Sequence, residues 1–167
     1  FCDPNSGRLY VPGAEGDMER LSSFIQTHGA EIDDIIISLD SHQRLDISHP
    51  LWWTNAQGEH PAPFTVMTAS EVEQGVWRTV READAAKSKQ YVEALAAGNR
   101  YPHVIWPEHC LVGHPGHNLW PALHDVLGEW EAQAQTRVHY VYKGTNPYTE
   151  HFSAIRAEVP DPNDPAT

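Results

Sequence analysis

The chain has 167 residues, 40% of them hydrophobic, and a formal net charge of −12. This length fits one domain, and the hydrophobic content excludes a mainly disordered chain. The acidic excess argues against nucleic acid or an anionic membrane surface as the main partner, and no apolar run approaches the roughly 18 to 20 residues that cross a bilayer. We therefore expect a single domain that binds a small or neutral molecule.

The chain contains two cysteines, Cys2 and Cys110. Two thiols in a chain of this length do not form the disulfide framework that is typical of small secreted domains. No secretory signal is visible, although the sequence begins with Phe1 rather than Met. The cysteine usage therefore predicts a cytoplasmic location.

The first regular elements are a helix and a short strand. Apolar residues spaced three or four apart predict a helix over residues 18–29, with Gly29 as its C-terminal stop. Residues 34–38 (DIIIS) form a short β-branched run, which predicts a buried parallel strand. A helix followed by a buried strand favours an α/β fold.

Four further elements follow in the second half of the chain. We predict a peripheral helix over Arg81–Asn99, a brief strand over His103–Trp106, a helix over Leu119–Trp130 and a strand over Arg137–Gly144. Open parallel sheets usually have about four to six strands, and only two strands are clear here. The sequence therefore predicts an α/β domain whose sheet is incomplete within residues 1–167.

Histidine and aspartate follow the first predicted strand in a pattern that suits a metal ion. Asp40 and His42 are two residues apart, so in an extended segment both side chains point the same way. His109 follows a stiff Trp-Pro pair, and His49 could be a further ligand or a donor to one. These residue types bind zinc, iron or manganese. The alternative is that they are unrelated polar loop residues.

Three other side chains have possible chemical roles. Lys143 ends a predicted strand, where ligands bind in α/β folds, and can pair with a carboxylate or tune a thiolate. The alternative for Lys143 is a solvated surface residue. Cys110 neighbours His109, but we expect a buried, unreactive thiol, since strand neighbours point to opposite faces. The Trp106 indole could form one wall of an aromatic pocket.

Four segments, taken in order, resemble the nicotinamidases of the isochorismatase-like cysteine hydrolase superfamily. The opening resembles the segment after that family's Asp-x-Gln motif, and the second segment resembles its Asp-x-His metal segment. The third resembles its Trp-Pro-x-His-Cys stretch, and the fourth its Lys-Gly segment. In this sequence the four read FCDPNSGRLYVPGAE, SLDSHQRLDISH, WPEHCLVGHPGH and VYKGTNPYTEHFSAI. The resemblance implies a three-layer α/β/α fold with a mainly parallel sheet.

The resemblance also implies a metal site. Asp40, His42 and His109 would hold a divalent metal, with His49 as a further candidate ligand. Zinc is the expected metal, and iron and manganese are alternatives. In this family the metal positions the pyridine ring of the substrate.

The implied reaction is the hydrolysis of nicotinamide to nicotinate and ammonia through a cysteine thioester, as in NAD salvage. Lys143 would be the lysine of the catalytic triad, and Phe1 and Trp106 would line the pyridine pocket. The triad aspartate would precede Phe1 and the nucleophilic cysteine would follow Thr167. We therefore expect residues 1–167 alone to be inactive and to form one partial hydrolase domain.

Some segments depart from the family pattern. Residues 50–101 form a longer insertion, His114 and His117 replace Thr and Ala, and residues 150–152 (EHF) replace an Asp-x-Tyr sequence. Two alternative functions therefore remain open. One is a related cysteine hydrolase with another amide or ester substrate, and the other is a non-catalytic metal- or ligand-binding homologue. The family often forms oligomers, so a homo-oligomer is expected.

Overall fold

The computed structural model describes residues 1–167, and its longest strands form a parallel pair. Strand β1 (Ile36–Asp40) pairs with β6 (His139–Lys143), and their register places Asp40 beside Lys143. Both strands are rich in β-branched and aromatic residues, which favour extended backbone. The pairing therefore brings one acidic and one basic residue to the same carboxyl edge, where α/β folds bind ligands.

Two helices cover one face of this strand pair. Helix α1 (Ala14–His28) packs against α4 (Pro121–Ala134), and Pro121 occupies the first helical turn, where its missing N–H costs nothing. The Trp130 indole N–H donates to the Gly29 carbonyl oxygen at 3.0 Å. These helices and the residue just before β6 form the first hydrophobic cluster, which contains Ile25, Leu123, Val126, Leu127, Trp130 and Val138.

The opposite face of the strand pair is largely exposed. Ile36 is 65% exposed and Val141, which lies on the same face, is 36% exposed, while Ile35 and Ile37 pack against the helices. The prediction of a buried strand over residues 34–38 is therefore wrong in two respects. The strand begins at Ile36, and only one of its faces is covered, because both flanking helices lie on the same side.

A second hydrophobic cluster is built from the middle of the chain. Helix α3 (Ala85–Gly98) contributes Tyr91, Val92 and Leu95, each at most 3% exposed. The prediction that this helix is peripheral is therefore wrong. Its Ala, Glu and Lys content hides a narrow apolar stripe that packs against two buried tryptophans. The other members of the cluster are Ile47, Trp52, Trp53, Met67 and Ile105.

Short elements frame this second cluster. Two-residue strands pair antiparallel, β2 (Trp53–Thr54) with β4 (Arg78–Thr79) and β3 (Val66–Met67) with β5 (His103–Val104). Helix α2 (Ala69–Glu73) begins with a capping box in which Thr68 and Glu71 satisfy each other's backbone N–H groups. Single 3₁₀ turns cover Gly29–Glu31, Pro50–Trp52, Glu82–Asp84 and Pro115–His117.

The acidic C-terminal segment, residues 157–167, is attached to this cluster by hydrogen bonds. Asp161 accepts from Lys87 Nζ at 2.6 Å and from Asn146 Nδ2 at 3.2 Å, and Ala157 is fully buried. This segment is therefore an ordered loop. Strands and helices together confirm an α/β fold with a parallel sheet, and none of the helices is long and apolar enough to cross a bilayer.

Buried His103 makes the second cluster sensitive to acid. The ring is 3% exposed and lies 5.5 Å from the rings of both Trp53 and Tyr91. Burial lowers the pKa of His103 from 6.5 to about 4. Because the folded chain holds the neutral ring, its stabilising contribution is complete above pH 6.5 and is lost as the pH falls toward 4. Wild-type protein should lose up to about 3 kcal/mol of unfolding free energy across this window. We expect that His103→Gln does not show this loss.

The measurement is urea unfolding of both proteins at intervals from pH 7.5 to pH 4. His28→Gln, a change at a half-exposed histidine, is the matched control and should keep the wild-type slope. An equally steep loss of unfolding free energy in His103→Gln would contradict this account.

Candidate metal centre

A backbone bridge brings two distant segments of the chain together just beyond β1. The His42 N–H donates to the Cys110 carbonyl oxygen at 3.1 Å, and the Val112 N–H donates to the His42 carbonyl oxygen at 3.0 Å. His42 and Leu111 thus form an isolated parallel bridge. This bridge holds His109 beside the end of β1, although 66 residues separate it from His42 in the chain.

Asp40, His42 and His109 converge on one point. His42 Nε2 lies 3.2 Å from Asp40 Oδ1, and His109 Nε2 lies 3.4 Å from Asp40 Oδ2. One ligand atom from each residue lies within 4.8 Å of the others, and all three side chains are buried. Three residues selected from the sequence therefore form one compact group of potential metal ligands.

The second nitrogen of each of these two rings has an oxygen acceptor. His42 Nδ1 lies 3.1 Å from Asp46 Oδ2, and His109 Nδ1 lies 2.8 Å from the Pro107 carbonyl oxygen. A carbonyl or carboxylate oxygen can only accept, so these contacts place a proton on Nδ1. Each Nε2 atom then faces the other two residues and can bind a metal once it carries no proton, which is the arrangement of metal-binding histidines.

His49 borders this group without belonging to it. Its ring centroid lies 5.2 Å from that of His42 and 5.5 Å from that of His109. Its Nδ1 contacts the Gln43 carbonyl oxygen at 3.1 Å, and its fully buried Nε2 has no hydrogen-bond partner. Burial lowers the pKa of His49, so the ring is neutral and able to bind a cation.

Lys143 completes the edge of the strand pair. Its Nζ donates to Asp40 Oδ1 at 2.7 Å and to the His151 carbonyl oxygen at 2.8 Å. The next residue, Gly144, has a φ of +77°, and a Cβ there would lie 2.9 Å from His42 Cε1. Glycine is therefore required both by the left-handed backbone and by the close approach to the His42 ring.

The charges at this edge support an ionised carboxylate beside a cation. Burial alone would raise the pKa of Asp40, but the adjacent His109 and His42 rings and the positive charges of His42 and Lys143 hold it well below its usual range. Burial alone would lower the pKa of His42, but Asp40, Asp46 and Glu150 raise it to about 10. The pocket therefore favours positive charge.

Two acidic residues near His42 were missed in the sequence. Asp46 is 1% exposed and contacts the Nδ1 side of the ring. Glu150 is 5% exposed, and its Oε1 lies 4.0 Å from His42 Nε2. Burial raises the pKa of Glu150, whose Oε2 has no hydrogen-bond partner. The sequence signal for Asp46 was its spacing of four residues from His42, which alone does not distinguish it from a solvated loop carboxylate.

Cys110 lies beside the centre but outside a strand. Its φ of +46° places it in a left-handed turn, so the strand alternation used to orient it does not apply. Burial and the charge of Asp40 raise the pKa of its half-buried thiol to about 11. The thiol is therefore protonated at neutral pH. Because Cys110 is only partly buried, the expectation of a buried thiol is wrong, and its lack of reactivity stays a prediction.

One aromatic ring lies beside the centre, and another belongs to the segment just before His109. The Phe1 ring meets the His109 ring edge-on at 5.6 Å, and Phe1 is 40% exposed. Trp106 is partly buried and meets Phe64, a residue of the 50–101 segment, edge-on at 6.1 Å. Phe64 has a φ of 69°, which is unusual for a bulky side chain. The long middle segment therefore reaches the aromatic residue that was predicted to line a pocket.

No protein-family model matches this chain, and no curated protein does so either. Solved structures do match. The structure of the yeast nicotinamidase Pnc1p superposes with a TM-score of 0.57 at 19% identity, covering 92% of this chain and 56% of that one. The same enzyme bound to the inhibitor nicotinaldehyde gives 0.57 at 19% identity, with coverages of 93% and 57%.

A third match is an Acinetobacter nicotinamidase and pyrazinamidase, with a TM-score of 0.54 at 16% identity, covering 91% of this chain and 51% of that one. The chain thus spans little more than half the length of each solved structure. Identities this low establish the fold alone. The chain therefore has the α/β fold of these nicotinamidase structures.

Proposed function

We propose that Asp40, His42 and His109 bind one divalent metal ion. The observation that carries this proposal is the convergence of one carboxylate and two Nε2 atoms within 4.8 Å, with both Nδ1 atoms already paired to oxygen. Two nitrogens and one oxygen in a buried group suit zinc, and iron or manganese would accept the same donors. His49, with its neutral ring and unpartnered Nε2, is a further candidate ligand.

We further propose that these residues form the binding part of a metal-dependent amidase. This enzyme would convert nicotinamide to nicotinate and ammonia. The fold shared with solved nicotinamidases supports this, as does the position of the Phe1 ring beside His109. When bound, the metal would supply a Lewis acid for the ring nitrogen of a pyridine substrate.

The chain's own residues would bind and orient the substrate. Phe1 and Trp106 offer aromatic surface to a planar ring. Lys143, held between Asp40 and the His151 carbonyl oxygen, keeps a positive charge at the carboxyl edge, and in this proposal it is the triad lysine that pairs with the acidic and thiolate groups of the reaction.

Amide hydrolysis through a thioester also requires a thiolate, which attacks the carboxamide carbon. The carbon–nitrogen bond breaks and protonated nitrogen leaves as ammonia, and water then cleaves the acyl–sulfur bond and releases the thiolate. Cys110 does not supply it, because the raised pKa keeps its thiol protonated. This observation also favours a second candidate function, in which residues 1–167 bind a metal and a small molecule without catalysis. A related cysteine hydrolase with a different amide or ester substrate would use the same binding residues.

The proposed partner is therefore a small molecule rather than nucleic acid or a membrane, in agreement with the net charge of −12. The proposed location is cytoplasmic, where the two free cysteines would stay reduced. Residues 50–101 are proposed to be an insertion that shapes the pocket mouth through Phe64.

The metal proposal predicts stoichiometric binding. Wild-type protein should bind one zinc ion per chain, and His109→Ala should weaken binding by roughly 100-fold or more because one of three ligands is lost. The measurement is zinc titration against a coloured chelator of known affinity. His124→Ala, at a side chain that is 73% exposed, is the control and should bind like wild type. Equal affinities in wild type and His109→Ala would contradict the site.

The amidase proposal predicts that Cys110 is not the cysteine that performs the reaction. We expect the complete gene product to release ammonia from nicotinamide when metal is supplied, and to lose this activity after chelation. Cys110→Ala should retain most of the activity, because the replaced thiol is not a thiolate at neutral pH.

The assay is ammonia release by the complete gene product, by its Cys110→Ala variant and by residues 1–167 alone, all with metal present. Residues 1–167 alone should show no turnover. Turnover by this chain that disappears in Cys110→Ala would reverse the assignment of Cys110, and metal binding without turnover in the complete product would favour the binding function.

A further inference from the structure

The Asp46 carboxylate contacts the His42 ring on the side away from the candidate metal. Its Oδ2 lies 3.1 Å from His42 Nδ1, and its side chain is 1% exposed. Asp46 is not one of the three convergent ligands, and it contacts the ring through the nitrogen that the metal would not use. Its buried charge is therefore directed at a proposed ligand rather than at the metal.

The other oxygen of the same carboxylate is fixed by a local turn. Asp46 Oδ1 accepts from the Ser48 backbone N–H at 2.9 Å and from Ser48 Oγ at 2.8 Å. The Ser48 carbonyl oxygen in turn accepts from the Trp106 N–H at 2.7 Å, which attaches this turn to the segment carrying His109. With Oδ1 occupied by two donors, Oδ2 is left to accept from the imidazole.

Asp40 does not set the orientation of the His42 ring. His42 Nε2 lies 3.2 Å from Asp40 Oδ1, yet this nitrogen has no partner with hydrogen-bond geometry. The ring is instead fixed from its Nδ1 side by Asp46, and Gly144 leaves room for Cε1, which a Cβ at that position would approach to 2.9 Å. A buried carboxylate is costly unless its oxygens are satisfied, and here the ring N–H completes that requirement.

We propose that Asp46 is the positioning residue of this metal centre: it holds the His42 proton on Nδ1 and aims the Nε2 lone pair toward Asp40 and His109. The inference rests on the proposed metal site. A carboxylate behind a ligating histidine fixes its tautomer and increases its basicity, and losing such a partner typically lowers metal affinity by about 10- to 100-fold.

The sharpest variant is Asp46→Asn, which keeps the size of the side chain. Because the two Ser48 donors retain the amide oxygen, the amide NH₂ group would face His42 Nδ1. That contact makes Nδ1 an acceptor and moves the ring proton to Nε2, where it blocks the metal. We therefore expect zinc affinity to fall at least about tenfold. Glu108→Gln, the same chemical change at a residue paired with Arg44 on the surface, should bind zinc like wild type.

Three measurements test the inference: zinc affinity by chelator competition, the thermal midpoint of the metal-free proteins, and the ¹⁵N signals of the His42 ring with zinc bound. Support requires weaker zinc binding by Asp46→Asn with a metal-free midpoint near that of wild type, and a wild-type His42 that is protonated on Nδ1. A merely structural role would lower the metal-free midpoint and leave zinc affinity unchanged, which overturns the proposal.

Zinc bound through His42 Nδ1 in wild type would also overturn it, as would an affinity of Asp46→Asn within threefold of wild type. Wild-type protein that binds no zinc at all would instead refute the proposed metal site itself. The failure of the positioning role is therefore distinguishable from the failure of the site.

Discussion

The candidate site depends on the backbone bridge between His42 and Leu111. Its two hydrogen bonds join the loop after β1 to the segment that carries His109, and without them the third ligand would have no fixed position. The parallel pairing of β1 with β6 adds the other half of the frame, because its register puts Lys143 against Asp40. Backbone hydrogen bonds therefore fix the position of each charged group, and the side chains determine which ligand the site can bind.

Charge balance at this edge explains why so many ionisable groups can be buried together. Asp40 is surrounded by Lys143, His42 and His109, while His42 is flanked by Asp40 and Asp46. Each buried charge thus has a partner of opposite sign, which offsets part of the desolvation cost. A divalent cation would replace the proton on His42 Nε2. It would then supply the positive charge between Asp40, His42 and His109.

The two hydrophobic clusters serve different parts of the molecule. The cluster formed by α1 and α4 supports the strand pair, whereas the cluster around α3 supports the middle segment, whose Phe64 contacts Trp106. The chain spans little more than half of the nicotinamidase structures that share its fold.

The sequence alone determined the helix–strand pattern of the α/β fold and the ligand types at Asp40, His42 and His109, because periodicity and residue chemistry are local properties. Tertiary structure decided the burial of α3, since its apolar stripe is recognisable only once the tryptophans pack against it. It also decided the role of Asp46, because a loop carboxylate is normally solvated and only the Ser48 turn directs it at His42. The left-handed turn at Cys110 was likewise invisible, because no glycine or asparagine marks that position.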